Sequence, residues 1–238
     1  MTNASYQQRR SQLTEYFDRT AATAWQRLTS DAPVSRIRAT VREGRDQMRN
    51  TLLDWMPEDL TGYRLLDAGC GTGMLSVEAA RRGAEVVAVD ISPTLVDLGR
   101  KRHTEAVEAG EAKPGAVDFQ VGDMTDTSLG TFDYVVAMDS IIHYKPDDMV
   151  AMIANLAAMA ERKLLVTFAP GTPPLLLMHA AGQVFPRSDR SPAIEPIREA
   201  KLKKLIAREP RLSGWQPGRT RRIGHFFYTS QALEVLPR

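Results

Sequence analysis

Short apolar runs recur through the middle of this chain, and between them apolar positions fall three and four apart. The runs lie at Leu65-Leu66, Glu85 to Asp90, Val117 to Val121, Phe132 to Met138 and Lys163 to Phe168. Helical spacing fills the intervals over Met74–Arg82, Pro93–Glu108 and Pro146–Glu161. Unbroken apolar runs suit strands buried on both faces, and their alternation with helices predicts a parallel sheet with right-handed crossovers.

The flanks read differently. Residues 1 to 56 have helical periodicity, with Leu13, Tyr16 and Phe17 on one face. After a break at Asp31-Ala32-Pro33, where Asp31 is placed to cap a second helix, Val34, Ile37, Val41, Met48, Leu52 and Trp55 share another face. Beyond Phe168, Ala169-Pro170-Gly171-Thr172-Pro173-Pro174 breaks the chain and an apolar segment, Leu175 to Val184, follows. Such a long addition at the ligand edge of a sheet suits a lid or binding loop. A helix over Ile194 to Arg208 and two strands, Gly214–Ile223 and His225–Leu233, are expected to close the chain, the last strand antiparallel to the rest. The division predicted is a helical cap at 1–56, a core at 57–170 and 194–238, and a lid at 171–193.

The first run carries the chemistry. Leu65-Leu66-Asp67-Ala68-Gly69-Cys70-Gly71-Thr72-Gly73 is a strand, an acid and a glycine loop opening a helix. Glycines there let the backbone adopt positive φ and let a ligand approach the main chain, while the helix start offers unpaired N–H groups. The third glycine falls one position too early for the dinucleotide fingerprint. Asp90, at the end of the second run, can bind ribose hydroxyls, a role that NAD and S-adenosylmethionine sites share. Asp123 follows the third run within Gly122-Asp123-Met124, and Asp139 follows the fourth.

Composition narrows the reading. The 238 residues suffice for one α/β domain with additions, and 43% apolar with 25% charged residues is ordinary globular usage. A formal charge of +2 gives no general case for nucleic acid. The arginines are nevertheless uneven: Arg36, Arg38, Arg42, Arg45 and Arg49 accompany the second helix, as a solvated face beside Glu43 and Asp46 or as the wall of an anion pocket. One cysteine, Cys70, builds neither a disulfide framework nor a zinc site within the chain, and points to a reducing, cytoplasmic location. No signal peptide is visible, and the run Pro173 to Met178 is too short to cross a bilayer.

The D-x-G-x-G-x-G stretch from Asp67 to Gly73 resembles that of class I S-adenosylmethionine methyltransferases. The resemblance implies a Rossmann-like α/β fold, with a seven-stranded mostly parallel sheet and an antiparallel last strand. It also implies a cofactor site of Asp67, Gly69, Cys70, Gly71, Gly73, Asp90, Ile91, Ser92, Asp123, Met124, Met138 and Asp139, with Asp123 on the adenine amino group and Met124 on the ring. Several acceptors are argued against. No N-P-P-[YF] follows the fourth strand, no spare thiol exists for attack on a pyrimidine, and no carboxylate and amide cluster suggests a catechol metal site.

Tyr16-Phe17-Asp18-Arg19-Thr20, the Trp25 segment, Val34 to Met48, Ile141-Ile142-His143-Tyr144 and Phe185 to Pro192 extend the likeness along the whole chain. Together they resemble the magnesium-protoporphyrin IX O-methyltransferases of bacteriochlorophyll synthesis, in their purple-bacterial form. The implied reaction moves the cofactor methyl to a propionate of the magnesium porphyrin. It leaves S-adenosylhomocysteine and a monomethyl ester, with magnesium carried by the substrate and no resident metal. A propionate, with an ordinary carboxyl pKa of ~4.3, is already ionised near neutrality, so His143 is expected to orient it rather than to act as a strong base. Where plant and cyanobacterial relatives carry a catalytic tyrosine this chain has Leu28-Thr29-Ser30, which leaves Tyr16 as the candidate. Contact with magnesium chelatase and peripheral association with the photosynthetic membrane are implied too. A methyltransferase for a quinone precursor or another small acid, an RNA methyltransferase, and a non-catalytic porphyrin carrier remain as alternatives.

Overall fold

The computed structural model describes residues 4–21, 36–172, 193–225 and 228–238. Trp25, Leu28 to Ser30, the Asp31 cap and all but the edges of the expected lid lie outside the described residues.

Helix α1 (Ala4–Glu15) runs into a π-helical turn (Tyr16–Ala21), and α2 (Arg36–Leu53) precedes the sheet. Five strands then alternate with three helices: β1 (Arg64–Ala68), α3 (Met74–Arg81), β2 (Glu85–Asp90), α4 (Pro93–Glu108), β3 (Val117–Val121), β4 (Phe132–Ala137), α5 (Pro146–Ala157) and β5 (Ala160–Phe168). Helix α6 (Glu199–Arg208) leads to β6 (Trp215–His225) and β7 (Tyr228–Pro237). The seven strands are ordered β3-β2-β1-β4-β5-β7-β6, and only β7 opposes its neighbours. This is the Rossmann-like class I methyltransferase architecture expected from the sequence.

Strand order reverses between β1 and β4, whose register pairs Leu66 with Val135 and Asp67 with Val136. Crossovers leave in opposite directions there, so the carboxyl ends of the two strands open a crevice. Apolar side chains fill both faces of the sheet. Leu66, Val135, Val166 and Leu233 join α5 and α6 residues on one side, while Leu65, Val136 and Leu165 join Met48, Leu52, Leu75 and Ala79 on the other.

Among the boundaries that differ from the sequence reading, three have a visible cause. Strand β5 starts at Ala160 rather than Lys163, because Phe132 N–H donates to Met159 O at 2.8 Å and Arg162 pairs with Asp133 at 2.9 Å, which draws Glu161-Arg162 onto the sheet. Helix α6 starts at Glu199 rather than near Ile194, because Ile197 forms a parallel bridge with Pro170. Its N–H donates to Ala169 O at 2.9 Å, and its carbonyl accepts from Gly171 at 2.8 Å. The last strand extends to Pro237, paired with Trp215.

Helix α2 meets β7 at a residue with no side chain. A Cβ at Gly44 would overlap the ring of Tyr228, which is buried and whose hydroxyl donates to Asp139 at 3.0 Å. The ring has no room to yield without breaking that bond. Gly44→Ala is therefore expected to destabilise the protein by ~1–3 kcal/mol, the usual range for overpacking. A thermal melt at or above the wild-type midpoint would show that α2 does not depend on this contact.

Candidate active site

At the crevice lies a cavity of about 310 Å³, within the size range of small-ligand sites. Its floor is the glycine loop. Gly69, Gly71 and Gly73 have φ of 80°, 53° and 70°, which curls the chain tightly between β1 and α3. Gly69 and Cys70 donate to Val89 O at 2.8 and 3.0 Å. Gly71 N–H donates to Asp90 Oδ2 at 2.8 Å, and Ser92 N–H to Asp90 Oδ1 at 2.9 Å. A Cβ on Gly71 would meet nothing within 4 Å, so that side of the loop is open. A ligand fits closest to the backbone there.

Carboxylates line the sheet edge around this floor. Asp67 is buried and accepts from Ser76 Oγ at 2.6 Å. Burial raises its pKa to about 7, against the Ser76 bond and with help from the charge of Asp90. Burial also raises Asp90, against its three backbone N–H donors, and raises the Cys70 thiol, which the charges of Asp90 and Asp67 push further. Cys70 is thereby kept a neutral thiol and a poor nucleophile.

Asp123 meets the N-terminal helix. Its Oδ1 accepts from Tyr6 OH at 2.7 Å and from Thr125 N and Oγ1 at 2.9 and 2.7 Å, and Arg10 lies 3.7 Å from Oδ2. Tyr6 stacks on Tyr144 with ring centroids 5.3 Å apart. Burial pushes both phenols up, so neither is a base near neutral pH. Arg9 Nε donates to His143 O at 2.8 Å, and Ser92 Oγ to Asp18 Oδ1 at 2.6 Å. Helix α1 and its π turn thus cover the cavity by bonding to residues on its rim.

His143 ends a 3-10 turn, Ile141–His143, just beyond β4. Its Nδ1 is 3.2 Å from Ala193 O. A carbonyl oxygen only accepts, so this contact assigns the proton to Nδ1. Phe17 meets the ring edge-on at 6.2 Å.

Asp139 stands between that turn and α2. Its φ of 52° is the only positive value among non-glycine described residues. The carboxylate accepts from Arg45 at 2.9 Å, Tyr228 OH at 3.0 Å, Ser230 Oγ at 3.0 Å and Thr167 Oγ1 at 3.1 Å. Arg42, Arg45 and Arg49 all line the cavity from α2, together with Asp46.

Eleven of the fourteen residues singled out from the sequence line this one cavity: Asp67, Gly69, Cys70, Gly71, Asp90, Ile91, Asp123, Met124, Met138, Asp139 and His143. Gly73 does not. It lets α3 approach α4, since a Cβ there would crowd the Phe119 ring and Gly99. Ser92 caps α4, accepting from Leu95 N–H at 3.3 Å. Tyr16 is not among the lining residues either; its neighbour Phe17 is, and the two rings meet edge-on at 5.3 Å. Consecutive helical residues cannot face the same way. The tyrosines on the wall are Tyr6 and Tyr144, and Tyr6 was missed because α1 is polar on nearly every side. Among the described residues, no group of three or more His, Cys, Asp or Glu side chains is placed to hold a metal ion.

Sheet order, glycine loop and strand-end carboxylates define a class I S-adenosylmethionine-dependent methyltransferase, and a methyltransferase-domain family matches residues 65–163. A second family, the C-terminus of magnesium-protoporphyrin IX methyltransferase, matches residues 137–237. The chain is 45% identical to a magnesium-protoporphyrin O-methyltransferase of Rhodobacter capsulatus, covering 98% of this chain and 99% of that one. It is 30% identical to the Synechocystis enzyme of the same name, covering 99% of each. The crystal structure of magnesium protoporphyrin IX methyltransferase from Synechocystis PCC 6803 with bound SAH superposes with a TM-score of 0.83 at 29% identity, covering 97% of this chain and all of that one. The chain belongs to the magnesium-protoporphyrin O-methyltransferase family.

The buried Asp67 makes a prediction that needs no ligand. Its carboxyl ionises near 3.8 when unfolded and near 7 when folded, so the folded state holds a proton that unfolding releases. Its contribution is fully present below pH 4 and is lost as pH rises to 7, by up to about 4 kcal/mol. Chemical denaturation of wild type and Asp67→Asn across this window is expected to show the slope only in wild type. Parallel curves would place the Asp67 carboxyl in a wetter environment than its burial indicates.

Proposed function

We propose that this chain transfers the methyl group of S-adenosylmethionine to one propionate carboxylate of magnesium protoporphyrin IX, giving the monomethyl ester. The observation that carries the reading is a single cavity that joins the glycine loop, the carboxylates ending β2 and following β3, and His143. Family membership gives the acceptor.

The residues divide the task. Asp90, fixed by Gly71 and Ser92, accepts the ribose hydroxyls, and Asp123 accepts the adenine amino group, with Met124 against the ring. The open face of Gly71 admits the methionine part, with Asp67, Gly69, Cys70, Ile91 and Met138 around it. The cofactor supplies a methyl group on a sulfonium, which an ionised carboxylate can attack in line without a strong base. His143 then positions that carboxylate. With Nδ1 committed to Ala193 O, Nε2 is the ring nitrogen that faces the propionate in this reading. Phe17, Tyr6 and Tyr144 supply apolar surface for a flat macrocycle. Residues 57–170 and 194–238 act as the cofactor-binding core in this reading.

Contact with magnesium chelatase and peripheral association with the photosynthetic membrane belong to the same proposal and rest on family resemblance. No helix among the described residues is long and apolar enough to cross a membrane.

The deciding assay combines purified protein, S-adenosylmethionine and magnesium protoporphyrin, with the pigments separated and weighed. A product heavier by one methylene and dependent on the cofactor is expected; its absence from protein that binds the cofactor would overturn the acceptor. Asp90→Ala is expected to weaken cofactor binding roughly ten- to a hundredfold by calorimetry, and unchanged affinity would remove it from the ribose site. His143→Ala is expected to lower kcat roughly tenfold or more with cofactor affinity preserved. Wild-type turnover in that variant would leave the histidine a packing role only.

A further inference from the structure

Among the described residues, every arginine that lines the cavity comes from one helix. Arg42, Arg45 and Arg49 lie three and four positions apart on α2, hence on one face, where Asp46 pairs with Arg49 at 2.8 Å and Asp139 with Arg45 at 2.9 Å, while the opposite wall at the sheet edge presents Asp67, Asp90 and Asp123. The cavity is therefore bipolar. Its acidic side suits a cofactor with a sulfonium, an ammonium and ribose hydroxyls, and its basic side suits an anion.

Resting on the reading above, we propose that Arg42 binds the second propionate of the acceptor, the one that is not methylated, and so makes the enzyme selective for a dicarboxylate porphyrin. The three arginines occupy different stations along the reaction. The later part of α2 shares a core cluster with α3 through Met48, Leu52, Leu75 and Ala79, which puts Arg49 at the glycine-loop end of the row. Arg45 meets Asp139 at 2.9 Å, beside the turn that carries His143. Arg42 stands a turn beyond Arg45 and about 10 Å along the axis from Arg49. The sister propionate, borne by the neighbouring ring, leaves the same edge of the macrocycle, so with one carboxylate near the loop and His143 the other lies beside it, within reach of the next station along α2. Among the described residues Arg42 is the lining cation beyond Arg45, and it is half-buried, where a guanidinium–carboxylate pair is less screened than at the surface. Methylation removes one of the two acceptor charges and leaves the other, so this contact holds substrate and product alike. It governs recognition and not the chemical step.

The test compares wild type and Arg42→Gln on magnesium protoporphyrin and on whichever of its two purified monomethyl esters still accepts a methyl group. Wild type is expected to prefer the diacid in kcat/KM by about tenfold to a hundredfold. In Arg42→Gln the diacid falls to the level of the monoester through KM, while the monoester rate and cofactor affinity are unchanged. A variant that keeps the preference overturns the assignment, as does one that slows both acceptors equally or loses cofactor affinity. If wild type methylates no magnesium porphyrin, the proposed function fails instead. The assignment is then read from tryptophan quenching, where equal affinities of wild type and variant for the diacid refute it and a selective loss in the variant sustains it.

Discussion

A half-buried carboxylate at the end of β2 holds the floor of the cavity. Asp90 takes the Gly71 and Ser92 N–H groups on its two oxygens, at 2.8 and 2.9 Å, and so ties the turn after β1 to the turn after β2. Burying that charge is costly unless donors compensate it. Those donors are available only because the loop curls through glycines at positive φ, and in that conformation the Gly71 face stays open. The fold's backbone bonds and the ligand's place follow from one packing requirement. Asp67 and Asp123 repeat the solution with Ser76 and with Tyr6 and Thr125.

Asp139 does the equivalent on the α2 side of the cavity, at a higher local cost. An L residue held at φ 52° costs on the order of 1–2 kcal/mol, less for aspartate than for bulkier side chains. Four side-chain donors from α2, β5 and β7 converge on its carboxylate and offset that cost. The arrangement fixes α2, with its arginine row, against the strand end from which His143 projects. Gly44 belongs to it as well, since only a missing side chain lets α2 come close enough for Arg45 to reach. The α2 side of the cavity is thus set by contacts between residues far apart in the chain.

That difference decides how much the sequence disclosed. The glycine loop and Asp90 were legible because their bonds are local to one strand–turn–helix unit and its neighbour, and buried parallel strands announce themselves as apolar runs. Tyr6 was not legible, because its partner is Asp123, 117 residues away, and nothing in a polar helix marks one tyrosine as inward. Spacing placed Tyr16 and Phe17 together, yet a π turn gives the wall to Phe17 alone. The arginines of α2 read equally as a solvated face or a pocket wall until β7 and Asp139 fixed which side of the helix is covered. Strand β5 hid its first residues behind Glu161-Arg162, a pair that resembles a helix end until Asp133 is seen opposite.

The division of charge also bears on how one fold serves many acceptors. Asp90 is tied to the glycine loop through Gly71, so changing it would disturb the loop itself. The arginines of α2 carry no such burden towards the loop, and a helix laid across the sheet edge can present a different row of side chains without altering strand order. Acceptor choice can then change while the cofactor half stays fixed. On this view the specificity of the enzyme is written in segments that pack onto the sheet, α1 and α2 among them, rather than in the motif by which the fold is recognised.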